Sequence, residues 1–499
     1  MERFILEFFA DFFTDLILIP WLGTLHPFDM EKLKQIHMIA ISGVGMAALA
    51  HLLQEAGHQV SGSDGEIFPP MSTLLAKASI VCKKGFHPDH IDPKTDIVII
   101  GNAVSRDNTE VLATIARGIP YYSLPQALRL FFLEERTPLV VVGTHGKTTT
   151  TSQLAFMLAS AGVDPSFMVG GLMKNFNANA RLGKGNYFVI EGDEYNSAFF
   201  DQGAKFLHYK PTCAILTSVE LDHVDLYPNV AAIQNVFKRF VHLIPPNGFL
   251  VVHHEPSVLD VAREADCPWV SYGLHPDCDW YANNITFGEG GASFDFFFRH
   301  TPMGSAKSSL IGEHNVKNML ATIALCHHLG IPMESILNGV RLFKGIARRQ
   351  EVVAEVRDIL IMDDFAHHPT AISETLSALR LRYPTRRLWA VFEPRSASSR
   401  RNIFQKAFAT AFQKADYTIL AELFAPEKVP LAERLNVVNL VVDIKAGGKE
   451  AYWIPTADEI VSFLAKEAKP GDLVCVMSSG GFGGIYAKLA AALQSRDME

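Results

Sequence analysis

The stretch that most constrains the fold of this chain runs from Val140 to Thr150. Val140, Val141 and Val142 lead into Gly143-Thr144-His145-Gly146-Lys147-Thr148-Thr149-Thr150, and a helical sequence follows. A strand that feeds a glycine-rich loop into a helix is built where helices pack on a parallel sheet. The glycines let backbone N–H groups approach phosphate oxygens, and the helix N-terminus adds partial positive charge. In such a loop Lys147 bridges the β and γ phosphates of ATP, and Thr148 ligates Mg²⁺. The longer form of the motif would put a glycine at position 141, where this chain has Val141; the shorter G-x-x-G-K-T form is present instead. The plainer alternative is a Gly/Thr turn with a surface lysine, and the strand–loop–helix context argues against it.

The same alternation of short apolar strands, glycine turns and amphipathic helices starts three times. It predicts an α/β protein of three domains: an N-terminal Rossmann-like domain over 31–136, a central P-loop ATPase-like domain over 137–350, and a C-terminal Rossmann-like domain over 351–499. A length of 499 residues suits about three domains. Expected strands include Ile36–Ile41, His58–Ser61, Asp96–Ile100, Leu139–Val142, Phe188–Ile190, Ala214–Thr217, Ile359–Met362, Leu388–Phe392, Tyr417–Leu420 and Leu473–Met477, and helices are expected over Met46–Ala56 and Val230–His242.

Residues 1–30 read as a leader. Met1 to Trp21 is rich in Phe, Leu and Ile but carries Glu2, Glu7, Asp11 and Asp15, unlike a secretory signal. The uncharged run Leu16–Leu22 is too short to cross a bilayer. The preferred reading is an enzyme that starts near Met30, with a peripheral membrane helix as the alternative. The formal net charge of −8 speaks against broad nucleic-acid binding. The six cysteines are scattered with no C-x-x-C pair, so they read as reduced core thiols of a cytoplasmic protein rather than disulfides or zinc ligands. The oligomeric state stays open between a monomer and a weak dimer.

Two acidic clusters follow apolar strands in the central segment: Glu191-Gly192-Asp193-Glu194-Tyr195, and Glu220-Leu221-Asp222-His223-Val224-Asp225. Strand C-termini are where open parallel sheets bind ligands. Mg²⁺ prefers oxygen ligands and bridges phosphates. Glu191 and His223 are therefore the leading metal-proximal candidates, ahead of Asp193, Glu194 and Asp222, while solvated acidic loops are the plain alternative. In the first segment, Gly43-Val44-Gly45-Met46-Ala47-Ala48 fits G-x-G-x-x-A, with Ser63 and Asp64 about twenty residues on. That pattern implies a diphosphate with a ribose-like partner, which a UDP-sugar satisfies as well as a dinucleotide does. Glycines that only permit tight packing are the alternative.

Eight motifs in order then resemble the Mur ligases, ATP-dependent amide-forming enzymes of bacterial cell-wall precursors: GVGM at Gly43, SGSD at Ser61, GTHGKTTT at Gly143, EGDE at Glu191, LDHVD at Leu221, GEHNVKN at Gly312, ARRQE at Ala347 and DDFAHHPT at Asp363. The resemblance implies that Gly43, Val44, Gly45, Met46, Ser63, Asp64 and Asn102 bind UDP-N-acetylmuramate. It implies ATP contacts at Gly143, Thr144, His145, Gly146, Lys147, Thr148, Thr149, His314, Asn315, Asn318, Arg349 and Asp364. Thr148 and Glu191 would hold one Mg²⁺, and Glu191 with His223 a second. Some members carry a carbamylated lysine where this chain has Lys238, which is otherwise a solvated helix residue.

Gly101–Ala103, Glu393–Ser396 and Met477–Gly484 resemble the branch that joins UDP-N-acetylmuramate to recycled L-alanyl-γ-D-glutamyl-meso-diaminopimelate. The branch that adds single L-alanine is the alternative. Arg395 and Ser396 would meet the carboxylates of the cell-wall peptide, with Arg suited to bidentate pairing. An NAD-linked oxidoreductase leaves the loop at 143–150 unexplained, and a nucleotide sensor without catalysis rests only on the fact that a fold does not fix a function.

Overall fold

The computed structural model describes residues 32–67, 71–288 and 290–495. The leader expected over 1–30 lies outside the described residues. Three large sheets and a two-stranded ribbon lie in one unit, Gln35–Glu499.

The first sheet contains β1 (Gln35–Ile39), β2 (Gln59–Asp64), β3 (Val81–Lys84), β4 (Ile97–Ile100) and β5 (Tyr121–Ser123), in the order 3-2-1-4-5. All pairings are parallel. Helix α1 (Val44–Glu55) follows β1 and starts at the glycine turn itself, two residues earlier than its apolar periodicity predicts.

The central sheet has ten strands. In chain order they are β6 (Thr137–Val142), β7 (Ser166–Met173), β8 (Ala178–Arg181), β9 (Tyr187–Gly192), then, after the separate ribbon β10 (Asn196–Ala198) and β11 (Asp201–Ala204), β12 (Cys213–Leu216), β13 (Phe249–His253), β14 (Trp269–Gly273), β15 (Trp280–Gly288), β16 (Gly291–Phe298) and β17 (Thr301–Ser308). The order is 17-16-15-14-13-12-6-9-7-8. Five of the six residues of β6 are buried, as a strand covered on both faces requires. Helix α2 (Lys147–Ser160) follows it, and later come α3 (Val230–Val241) and α4 (Glu313–His328). The antiparallel pairings of β15, β16 and β17 depart from the expected alternation. Their outward residues are polar, so one face is solvated, as antiparallel sheets allow.

The third sheet contains β18 (Glu351–Val356), β19 (Ile359–Asp364), β20 (Leu388–Phe392), β21 (Tyr417–Leu420), β22 (Glu450–Trp453) and β23 (Leu473–Met477), in the order 18-19-23-20-21-22. Helix α5 (Pro369–Arg382) follows β19. Apolar clusters on both faces of this sheet, one around Leu376 and Phe408 and one around Ile460 and Leu489, make it a three-layer sandwich.

Register then positions chemistry. Val142 pairs with Gly192 on β9 and with Leu216 on β12. The glycine loop and both acidic clusters therefore leave the same edge of the central sheet. In the third sheet, Met477 pairs with both Asp364 and Phe392, so the chain continuations at 365, 393 and 478 share an edge too. Among the described residues no helix is long and apolar enough to cross a membrane. All six cysteines are free thiols, five of them buried.

Candidate active site

The loop after β6 is held open by its glycines and tied to β12. Gly143 has φ +134° and Gly146, which precedes α2, has φ +81°. A Cβ on Gly143 would lie 2.2 Å from Thr217 Oγ1. Thr144 N donates to Ser218 O (3.0 Å) and His145 N to Ser218 Oγ (2.8 Å). These two amides are thus committed to the scaffold, and anion binding falls to the first-turn amides of α2, which lack helical partners by geometry. Thr144 Oγ1 donates to Glu220 O, which fixes the loop further.

Lys147 folds back over the loop. Its Nζ donates to Gly143 O (2.6 Å) and Glu194 Oε2 (2.8 Å). Burial opposes its charge, but Glu194, Asp193 and Glu191 outweigh burial and hold its pKa above the usual lysine value. Thr148 Oγ1 donates to Glu191 Oε1 (2.8 Å), and Gly170 N on β7 to Glu191 Oε2 (2.8 Å). Burial and the neighbouring Asp193 charge push the Glu191 carboxyl upward. Asp193 moves downward: burial is overcome by Lys205, 3.1 Å away, and by Lys147. His223 reaches the cluster with Nε2 3.5 Å from Glu194 Oε1, from a backbone at φ +47° that Asp222 supports by accepting His223 N.

The donor set suits an oxygen-loving dication. Thr148 and Glu191 act as one unit, and Glu194, 1% exposed, has an Oε1 with no hydrogen-bond partner. Oxygen donors of this kind are the ones Mg²⁺ takes.

Asn102, after β4 of the first sheet, shares a cavity of about 330 Å³ with Tyr195, Asn196, His223, Asp225 and Leu226. The first domain thus faces the central acids directly. At its glycine turn, Asp64 accepts from Ser42 N (2.9 Å) and Gly65 N (2.8 Å), so it secures the turn. Gly43, Val44 and Gly45 stand at the start of α1. The Met46 side chain is buried, which leaves only its backbone for a ligand. Ser63 corrects the sequence reading: its hydroxyl is fully buried and donates to Glu110, because the strand's alternation turns it inward.

Asn318 Oδ1 would lie 2.9 Å from a Cβ on Gly146, so α4 backs the loop, while Asn315 Nδ2 donates to Ile311 O (2.8 Å). His314 starts α4, and burial lowers its pKa. Arg349 lies over the Phe365 ring at 5.1 Å. Asp364 is a further correction. It is 2% exposed and accepts from Gln350 N and Ala366 N (2.8 Å each), so it braces the turn into the third sheet rather than presenting a free carboxylate. Lys238 is corrected as well: α3 turns its Nζ to Glu264 (3.0 Å), not to the acids.

Arg395, after β20, lies 3.6 Å over the Phe424 ring, beside Gly480, whose missing side chain makes room for it. Ser396 Oγ accepts from Ser399 N (3.0 Å) and shapes the following turn. Sequence reading left Glu220 and His368 without roles. Thr370 Oγ1 donates to Glu220 Oε2 (2.7 Å), and the His368 ring faces His145 at 4.5 Å. Burial would raise Glu220, but the His145 ring and the Thr370 hydroxyl bring it down to about 2. The His-His pair in DDFAHHPT was the available signal.

A phosphate loop, an acid cluster at its edge and two flanking Rossmann-like sheets define a three-domain nucleotide-dependent α/β enzyme. Family models match over three ranges: the Mur ligase family catalytic domain at 35–136, the Mur ligase middle domain at 141–326, and the Mur ligase glutamate ligase domain at 348–480. The chain belongs to the Mur ligase family of ATP-dependent amide ligases.

It is 38% identical over 464 residues to the UDP-N-acetylmuramate–L-alanyl-γ-D-glutamyl-meso-2,6-diaminoheptandioate ligase of Escherichia coli, covering 93% of this chain and 99% of that one. It is 34% identical over 459 residues to the UDP-N-acetylmuramate–L-alanine ligase of Caldanaerobacter subterraneus, covering 91% and 96%. A solved murein peptide ligase from Psychrobacter arcticus superposes with a TM-score of 0.71 at 34% identity, covering 92% and 99%.

Proposed function

We propose that this enzyme joins the carboxylate of UDP-N-acetylmuramate to the amine of L-alanyl-γ-D-glutamyl-meso-diaminopimelate, consuming ATP and releasing ADP and phosphate. The reaction belongs to peptidoglycan recycling in the cytoplasm. The observation that carries the reading is a juxtaposition: Asn102 of the first sheet shares a cavity with His223, which meets Glu194, the partner of Lys147.

A carboxylate is a poor electrophile, so the sugar acid is first phosphorylated. One of its oxygens bonds to the γ-phosphorus as the bond to the β,γ-bridging oxygen breaks. The peptide amine attacks the acyl carbon, phosphate leaves, and the amine loses a proton. Lys147 and the α2 amides hold the β and γ phosphates, which places positive charge where anionic oxygens gather. Thr148, Glu191 and His223 would hold Mg²⁺, which neutralises triphosphate charge. Glu194 orients Lys147 and His223, one with each carboxylate oxygen. Gly43 to Met46 and Asp64 set the α1 N-terminus toward the UDP diphosphate, and Asn102 faces the muramoyl side. Asn318, His314 and Arg349 line the nucleotide side. Arg395 presents its guanidinium to the peptide's carboxylates, pre-oriented by Phe424.

The peptide branch is favoured over the L-alanine branch by the greater identity to the tripeptide ligase and by an arginine held ready where a longer, multiply charged amine substrate would end. Purified enzyme with ATP and UDP-N-acetylmuramate should release phosphate with the tripeptide at a kcat/KM at least about tenfold above that with L-alanine. Equal or better use of L-alanine overturns the assignment.

A further inference from the structure

Where the phosphate loop meets the third domain, three ligand-bearing side chains converge, none of them in the Mg²⁺ set of Thr148, Glu191 and His223. His145 belongs to the loop, Glu220 follows β12, and His368 precedes α5. One donor atom of each lies within 4.8 Å of the others. His145 Nε2 stands 3.6 Å from Glu220 Oε2, too long for a hydrogen bond. His368 is 6% exposed, and its Nε2, like that of His145, is buried with no hydrogen-bond partner. Unmet imidazole nitrogens in the interior are costly unless something else meets them.

The chemistry of the three groups selects the guest. Two imidazoles and one carboxylate are poor ligands for Mg²⁺, which takes oxygen. They match the three-protein-ligand sets of zinc-class ions, with water in the fourth place. Glu220 already has the outer support such sites use, since Thr370 Oγ1 holds its Oε2 at 2.7 Å. One contact must yield: Thr370 N donates to His368 Nδ1 at 3.3 Å, and coordination through Nε2 moves the ring proton to Nδ1.

We propose that His145, Glu220 and His368 form a binding site for a zinc-class dication, separate from Thr148, Glu191 and His223, that joins the phosphate loop to the third domain. Its ligands come from two sheets, so the ion binds only the arrangement in which they meet and favours it.

Co²⁺ added to the full-length protein in excess Mg²⁺ tests this. One Co²⁺ per chain should give the intense visible absorption of four-coordinate Co²⁺, and Zn²⁺ should displace it. His368→Ala should weaken binding at least about 100-fold, while His223→Ala keeps the spectrum. Thermal unfolding without metal checks that each variant is folded, and Glu220→Gln takes the place of His368→Ala if that variant is not. A wild-type protein without the four-coordinate spectrum overturns the site. So does a spectrum that survives in the folded His368→Ala or Glu220→Gln protein, or one lost in His223→Ala.

Discussion

Lys147 does two jobs that a substitution would separate. It is the cation of the phosphate loop, and it neutralises Glu194, which is 1% exposed. Lys147→Ala should lower kcat/KM at least about 100-fold. It should also destabilise the fold by about 3–5 kcal/mol, because a buried carboxylate loses its partner. Adding Glu194→Gln should restore stability in urea denaturation without restoring phosphate release; recovery of both would assign Lys147 a purely structural role. His253 offers a pH test beside Glu220 and Thr217. Burial, with Lys317 and His254 near, pushes its imidazole down to about 3. The unfolded chain binds that proton below about pH 6.5 and the native one does not. Its contribution is therefore fully present above about pH 6.5 and is lost as pH falls toward about 3, at up to ~1.4 kcal/mol per pH unit. His253→Phe should flatten the pH dependence of unfolding by about one proton in that window; an unchanged slope contradicts the assignment. Lys147, Thr148 and Glu191 stand out in the sequence because each belongs to a local strand-end pattern, and the structure brings Thr148 and Glu191 into contact. The Lys147–Glu194 and Glu220–Thr370 pairs were not legible in the sequence, since each joins residues far apart in the chain that only the sheet edges bring together. Ser63 and Asp364 were read from motif position, and burial turned both toward the scaffold.

Strands β6, β9 and β7 act as a unit that aims Glu191. β9 carries the carboxylate between α2 and β7, and Gly170 of β7 both donates to it and leaves it room. A Cβ on Gly170 would lie 2.8 Å from Glu191 Oε2, while its backbone conformation accepts alanine. Gly170→Ala should therefore leave stability within about 0.5 kcal/mol of wild type. It should lower kcat about tenfold and raise the Mg²⁺ concentration needed for half-maximal phosphate release. An unchanged Mg²⁺ titration would show that the position of Glu191 is not critical. At this scale the sequence was informative where strands are buried on both faces, as at Leu388–Phe392 and Leu473–Met477, which match the expected bounds. It was less so for β15, β16 and β17, which pair antiparallel, as do β7 with β8 and β18 with β19. The elongated β9 ends two residues past its apolar core because pairing with β6 continues through Glu191 and Gly192.

In the whole molecule, three sheets bring their loop-bearing edges to the phosphate loop. Asn102 comes from the first, Glu191, Glu194 and His223 from the second, and His368 and Thr370 from the third. The three-part architecture was legible because the strand–turn–helix alternation restarts three times. How the parts meet was not, because their contacts rest on side chains from separate cores. The proposed division of labour has one chemical signature: an acid held by the first domain would be phosphorylated at the second before the third delivers an amine. UDP-N-acetylmuramate labelled with ¹⁸O in its carboxylate measures it directly, by mass analysis of the phosphate released during tripeptide ligation. One ¹⁸O atom is expected in each phosphate, carried over when the acyl–oxygen bond breaks. Phosphate without the label would rule out an acyl phosphate intermediate.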